Sequence, residues 1–149
     1  MKVLFVLALL AGSAFAQDSE AAMQLYNKGV RELDAGKGDD ARKNFAAIMK
    51  DYPTSAYAKL AKEGLDKPLV GSITFVDIKP LSDKEVRKQF ELQNARLMVG
   101  RVYNPDDGDQ ARTLLAQLML KHKLKAKDIT VTAKDLPDHK VAVTITVVH

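Results

Sequence analysis

The spacing of apolar residues changes period once along this chain, near residue 66, and that change constrains the fold more than any other feature. Over residues 19–65 the apolar positions recur at three- and four-residue steps, the signature of amphipathic helix. Ala22, Tyr26, Gly29, Val30 and Leu33 fall on one face of a first helix. Ala41, Phe45, Ile48, Met49 and Tyr52 fall on a second, and Tyr57, Leu60, Ala61 and Leu65 on a third. Turn residues at 34–37 and 52–55 separate them. Beyond Pro68 and Gly71 the pattern becomes mixed. Thr74, Val76 and Ile78 alternate with Ile73 and Phe75 as in a strand, and Ser82 with Glu85 has the form of a helix capping box ahead of Val86 and Phe90. Asn104, Pro105 and the acids Asp106, Asp107 and Asp109 start a second helix whose apolar face is Ala111, Leu114, Leu115, Leu118 and Met119. Two alternating runs follow, Ile129, Val131 and Ala133, then Val141, Val143, Ile145 and Val147, joined by a turn at 136–140. The expected fold class is therefore α+β. A helical hairpin with a capping helix spans residues 17–66, a linker 67–71, and a β-α-α-β-β unit 72–149.

Within the helical part the residue types have steric reasons. Gly29 and Ala41 are small where paired helices cross, Phe45 fills the space between them, and Pro53, lacking an amide proton, ends the second helix. That spacing, with the strings YNKGVRELDAGKGDDARKNFAAIMKDYP and TSAYAKLAK, resembles one tetratricopeptide (TPR) repeat of roughly 34 residues plus a third helix as cap. Leu25 stands where the family commonly has an aromatic residue and Glu32 where it has a tyrosine. Such units bury their apolar faces on neighbours, and about three copies are usual, so a single unit must lean on something else. The resemblance implies a peptide-holding surface on the first helix, at Gln24, Asn27, Lys28 and Arg31. Two alternatives are a plain solvated face and packing against the second half.

The second half, with ITFVDIKPLSDKEVRKQF at one end and KDITVTAKDLPDHKVAVTITVV at the other, resembles a polypeptide-transport-associated (POTRA) domain over residues 72–149. Gly100 and Tyr103 match the glycine and aromatic that the family commonly places before its second helix. The sequence departs at Lys123 and Leu124, which replace a Gly-Tyr pair, and no membrane-barrel sequence follows His149. A three-stranded sheet has two edges, and an open edge can accept an extended peptide through backbone hydrogen bonds. The resemblance implies such use on unfolded outer-membrane or secreted polypeptides, with Thr130, Val131, Thr132 and Thr144 as the expected strand-addition positions.

The ends and the composition narrow the class. Residues 1–16 carry one cation, Lys2, then an apolar run and the triplet Ala14, Phe15, Ala16, the layout of a secretory signal peptide cut before Gln17. The run is far shorter than the roughly 20 residues of a membrane-spanning helix, so no transmembrane span is expected in the mature chain. Periplasmic or secreted localisation follows. With no cysteine, the chain can hold neither a disulfide nor a lipid-modified cysteine. Removing residues 1–16 takes away one lysine and no acid, so the net charge falls from +4 to +3, too mild for a nucleic-acid binder. No catalytic residue is expected. His122, His139 and His149 lack helically spaced ligand partners, and the acids around Gly108 lack a calcium loop's closing glutamate, so neither metal nor cofactor is expected. Lys121, Lys123, Lys125 and Lys127 form the sharpest charge cluster, read either as a solvated helix end or as a contact for anionic lipid or an acidic partner. The resulting expectation is a non-catalytic adaptor in outer-membrane protein assembly or secretion, binding envelope proteins or unfolded clients. The alternative is a scaffold in cell division or peptidoglycan organisation.

Overall fold

The computed structural model describes residues 4–149, with side chains from residue 17 onward; the export segment expected over residues 1–16, with its cleavage before Gln17, lies outside the described side chains. The chain divides into two units, Met1–Asp66 and Lys67–His149, giving an α+β protein.

The first unit contains α1 (Leu4–Asp34), α2 (Gly38–Asp51) and α3 (Ala56–Leu65). The α1 helix stops because Gly36 adopts φ 72°, which lets the Gly36 amide donate to the Leu33 carbonyl and the Lys37 amide to the Glu32 carbonyl at 2.7 Å. This glycine-dependent closure satisfies carbonyls left without helical partners. The buried core is Ala22, Ala41, Phe45, Ile48, Ala58 and Ala61. The Phe45 ring lies between two glycines, since a Cβ on Gly29 would approach its Cε1 to 2.6 Å and one on Gly64 its Cε2 to 2.9 Å. Tyr26 packs beside it, with ring centroids 5.6 Å apart. Met49 and Leu60, expected on inner faces, are instead 36% and 40% exposed. The close approach at Gly64 turns the small row Ala58 and Ala61 inward and leaves Leu60 outside.

The second unit contains β1 (Leu69–Val76), α4 (Asp83–Leu92), α5 (Asp107–Lys121), β2 (Asp128–Leu136) and β3 (Lys140–Val148). The sheet order is β1-β3-β2, with β1 parallel and β2 antiparallel to β3. Val141, Val143, Ile145 and Val147 of β3 point into a core shared with Val86 and Phe90 of α4 and with Ala111, Leu114, Leu115, Leu118 and Met119 of α5. Both helices thus cover one face of the sheet.

Strand β1 begins at Leu69, inside the segment expected to be a linker. Leu69 and Val70 are fully buried, and Gly71 sits at a bulge where the register with β3 shifts between Val70 and Ser72. The Pro68 and Gly71 punctuation therefore marks a strand start and a bulge. The strand ends at Val76, so Ile78 is buried outside it. The first turn at Asn104 and Pro105 is closed by bonds of three-residue span, and regular α5 starts at Asp107. Asn104 still caps it locally, its Oδ1 accepting from the Asp106 amide at 3.2 Å.

Candidate functional site: the open edge of the sheet

The two sheet edges differ. On the outer side of β1, the Val70 amide donates to the Arg101 carbonyl and its carbonyl accepts from the Gly100 amide, each at 2.8 Å. The Tyr103 amide donates to the Pro68 carbonyl at 2.8 Å, and Val102 bridges to Leu69. Gly100, at φ 81°, permits this reversal. Farther along, Arg87 Nη2 donates to the Ile73 carbonyl at 2.6 Å while its guanidinium lies 5.3 Å above the Phe75 ring. One edge is therefore clipped by the connection between α4 and α5 and covered by an arginine. Beside it lies a groove of about 210 Å³ lined by Phe90, Leu97 and Met98 among others.

The β2 edge carries no such cover among the described residues. Its one outer contact is local, Asp128 Oδ1 accepting from the Ile129 amide at 2.8 Å. In an antiparallel pair alternate residues direct both backbone groups to the same side, so Val131 and Ala133 share the outward direction of Ile129. Next to this edge a groove of about 330 Å³ runs between α5 and the start of β2, lined by Arg112, Thr113, Ala116, Ala126, Lys127, Asp128 and Ile129. Gly108 of α5 packs against Val131 there, and a Cβ on it would meet Val131 Cγ1 at an ordinary contact distance of 3.4 Å.

Of the positions expected to receive a strand, Thr130, Val131 and Thr132 lie on β2 and thus on an edge strand. Thr144 does not. It lies in the central strand, opposite Thr74 of β1 and Thr132 of β2, so its backbone faces neighbours on both sides. Threonines alternate with apolar residues in both strands, at 130 and 132 in β2 and at 144 and 146 in β3, and the sheet order separates them.

Lys121, Lys123, Lys125 and Lys127 are all exposed. The end of α5 explains their display. The Lys123 amide donates to the Leu120 carbonyl and the Leu124 amide to the Met119 carbonyl, with Lys123 at φ 58° in the left-handed position that such closures reserve for glycine. Leu124 and Ala126 pack on the core, so the intervening lysines face outward. His122 Nε2 lies 2.9 Å from Glu85 Oε1, which ties the end of α5 to the start of α4. Glu85 thus completes only half of the expected capping box, its amide donating to Ser82 Oγ at 3.3 Å while its carboxylate turns to His122.

In the helical unit Gln24, Asn27, Lys28 and Arg31 are exposed, and Lys28 Nζ lies 4.0 Å from Glu32. Among the described residues no group of three or more histidines or acids is placed to hold a metal ion, and no helix is long and apolar enough to cross a membrane. Asp107 is buried to 7% exposure and lies 3.9 Å from Arg96, while Asp109 pairs with Arg112.

The roles of residues 100–103 and of Arg87 in closing β1 were not foreseen. Gly100 enters the sequence reading only as the glycine that the resemblance places before the second helix, and the strand it returns to is thirty residues earlier and unmarked.

Compared with known proteins, residues 68–149 match the POTRA family model, described as a surface antigen variable number repeat. No curated protein matches the chain. Domains of the matched family are non-catalytic modules that bind other polypeptides in outer-membrane protein assembly and secretion.

Proposed function

The chain belongs to the POTRA family through residues 68–149, and we propose on that basis that it is a periplasmic adaptor that receives extended polypeptide by strand addition along β2. The observation that carries this reading is the inequality of the two edges. The outer side of β1 is already bonded by residues 100–103 and Arg87, whereas β2 has only its own Asp128 at the first amide. An added strand would gain backbone hydrogen bonds along β2, and the groove beside α5 would accept alternate side chains.

The helical unit, with its resemblance to a TPR repeat, supplies a second polar surface at Gln24, Asn27, Lys28 and Arg31 for a protein partner. Export through residues 1–16 would deliver the chain to the compartment where family members work.

Photocrosslinking from residue 131 in intact cells tests the proposal, with residue 144 as the control inside the sheet and residue 31 reporting on the helical unit. Crosslinks from 131 to outer-membrane or secreted polypeptides, and none from 144, are expected. Absence of any crosslink from 131 overturns strand addition, and capture of cell-wall or division proteins points to a scaffold instead.

A further inference from the structure

We infer that the β2 edge selects extended polypeptide bearing acidic side chains, with the acidic end lying over the start of the strand. The inference rests on the strand-addition reading and specifies its substrate.

The four lysines lead directly into β2. Leu124 and Ala126 anchor residues 122–127 to the core, and Lys121, Lys123, Lys125 and Lys127 stand in solvent. None of the four has a salt bridge among the described residues; Asp109 pairs with Arg112, and Asp128, hydrogen-bonded by the Ile129 amide, sets one carboxylate beside Lys127. Lys127 and Arg112 line the groove, whose floor is formed by Ala116, Ala126 and Ile129. The site thus combines a strand edge, an apolar trough and, at one end, four exposed lysines against the single carboxylate of Asp128, a net positive charge. The other end of the hairpin, with Lys134, Asp135, Asp138 and Lys140, carries both signs. Charge is therefore asymmetric along the edge, which gives a bound segment a direction.

The backbone at Lys123 sharpens the point. Its φ of 58° is relaxed for glycine and strained for lysine, so this lysine stands at a conformational cost. A lipid surface would meet the lysines but could not reach the groove or the backbone of β2. An extended acidic segment answers all three at once.

Titration of the full-length chain with three synthetic peptides tests this. All share an alternating Val-Thr stretch. One is flanked by Asp-Glu, one by Lys-Lys, and one is the acidic peptide with N-methylated backbone amides. The acidic peptide should bind about tenfold tighter than the basic one at low salt, as expected for a few screened ion pairs. The preference should vanish at high ionic strength and in the Lys125→Glu/Lys127→Glu variant, and N-methylation should abolish binding. Equal binding of the acidic and basic peptides, with the acidic one lost on N-methylation, overturns the acidic preference and leaves strand addition standing. Binding that tolerates N-methylation overturns the placement on the β2 edge. Failure of every peptide overturns both readings, and retention on phosphatidylglycerol vesicles in that case assigns the lysines to lipid.

Discussion

Lys123 and Gly29 show how a single backbone or Cβ position decides stability. Replacing Lys123 by glycine removes left-handed strain and should raise the unfolding free energy by about 1 kcal/mol, measured by denaturant titration. Gly29→Ala should do the opposite of what helix propensity predicts. Alanine ordinarily favours a helix interior by about 1 kcal/mol, but here its Cβ would meet Phe45 Cε1 at 2.6 Å, so a net loss of about 1–3 kcal/mol is expected in the melting of the helical unit. Asp40 is a contrast. The hydrogen bond from Lys43 and its charge hold the Asp40 carboxyl below the usual carboxylate range. A depressed folded value contributes stability above the unfolded value and loses it as pH falls through the folded one. Because both groups are exposed, Asp40→Asn should alter melting only slightly, and the difference should disappear at strongly acidic pH. Gly29 was legible in the sequence as a small residue at a helix crossing. Gly64, the other wall of the Phe45 slot, was not, because nothing in its own neighbourhood distinguishes it from a glycine on an exposed face.

Among the elements, strands β2 and β3 have nearly the same alternation but opposite situations. Hydrogen exchange should separate them: the Thr144 amide, inside a three-stranded ladder, should be among the slowest, while the Val131 amide should exchange orders of magnitude faster. Substitution by proline provides a second measure. Val131→Pro should keep the circular dichroism spectrum of the folded chain, since its amide points outward, whereas Thr144→Pro should unfold the Lys67–His149 unit. The hairpin and the helix faces were readable because they depend on residues a few positions apart. The start of β1 at Leu69 was misread because Pro68 and Gly71 carry the same local signal in a linker as at a strand start and bulge.

At the scale of the whole molecule, the two units differ in how much core each has. Among the described residues, the fully buried large side chains of Met1–Asp66 are Phe45 and Ile48, and the other core residues are alanines; Lys67–His149 buries Leu69, Leu97, Leu115, Met119 and Ile145 together with four valines. Lys67–His149 produced alone should therefore melt cooperatively, while the 17–66 segment alone should be marginal, and calorimetry of the pair would show it. A comparable cooperative transition from the isolated helical segment would contradict this ledger of cores. Hydrophobic period and caps, written within a few residues, were enough for the fold class, the order of elements and most of the helix and strand faces, Met49 and Leu60 excepted. Only the tertiary structure decided that β3 is central, that residues 100–103 and Arg87 close β1, and that the lysines lead into an open edge. Those outcomes depend on which distant backbone groups find each other, and a backbone amide looks the same in every residue that carries one.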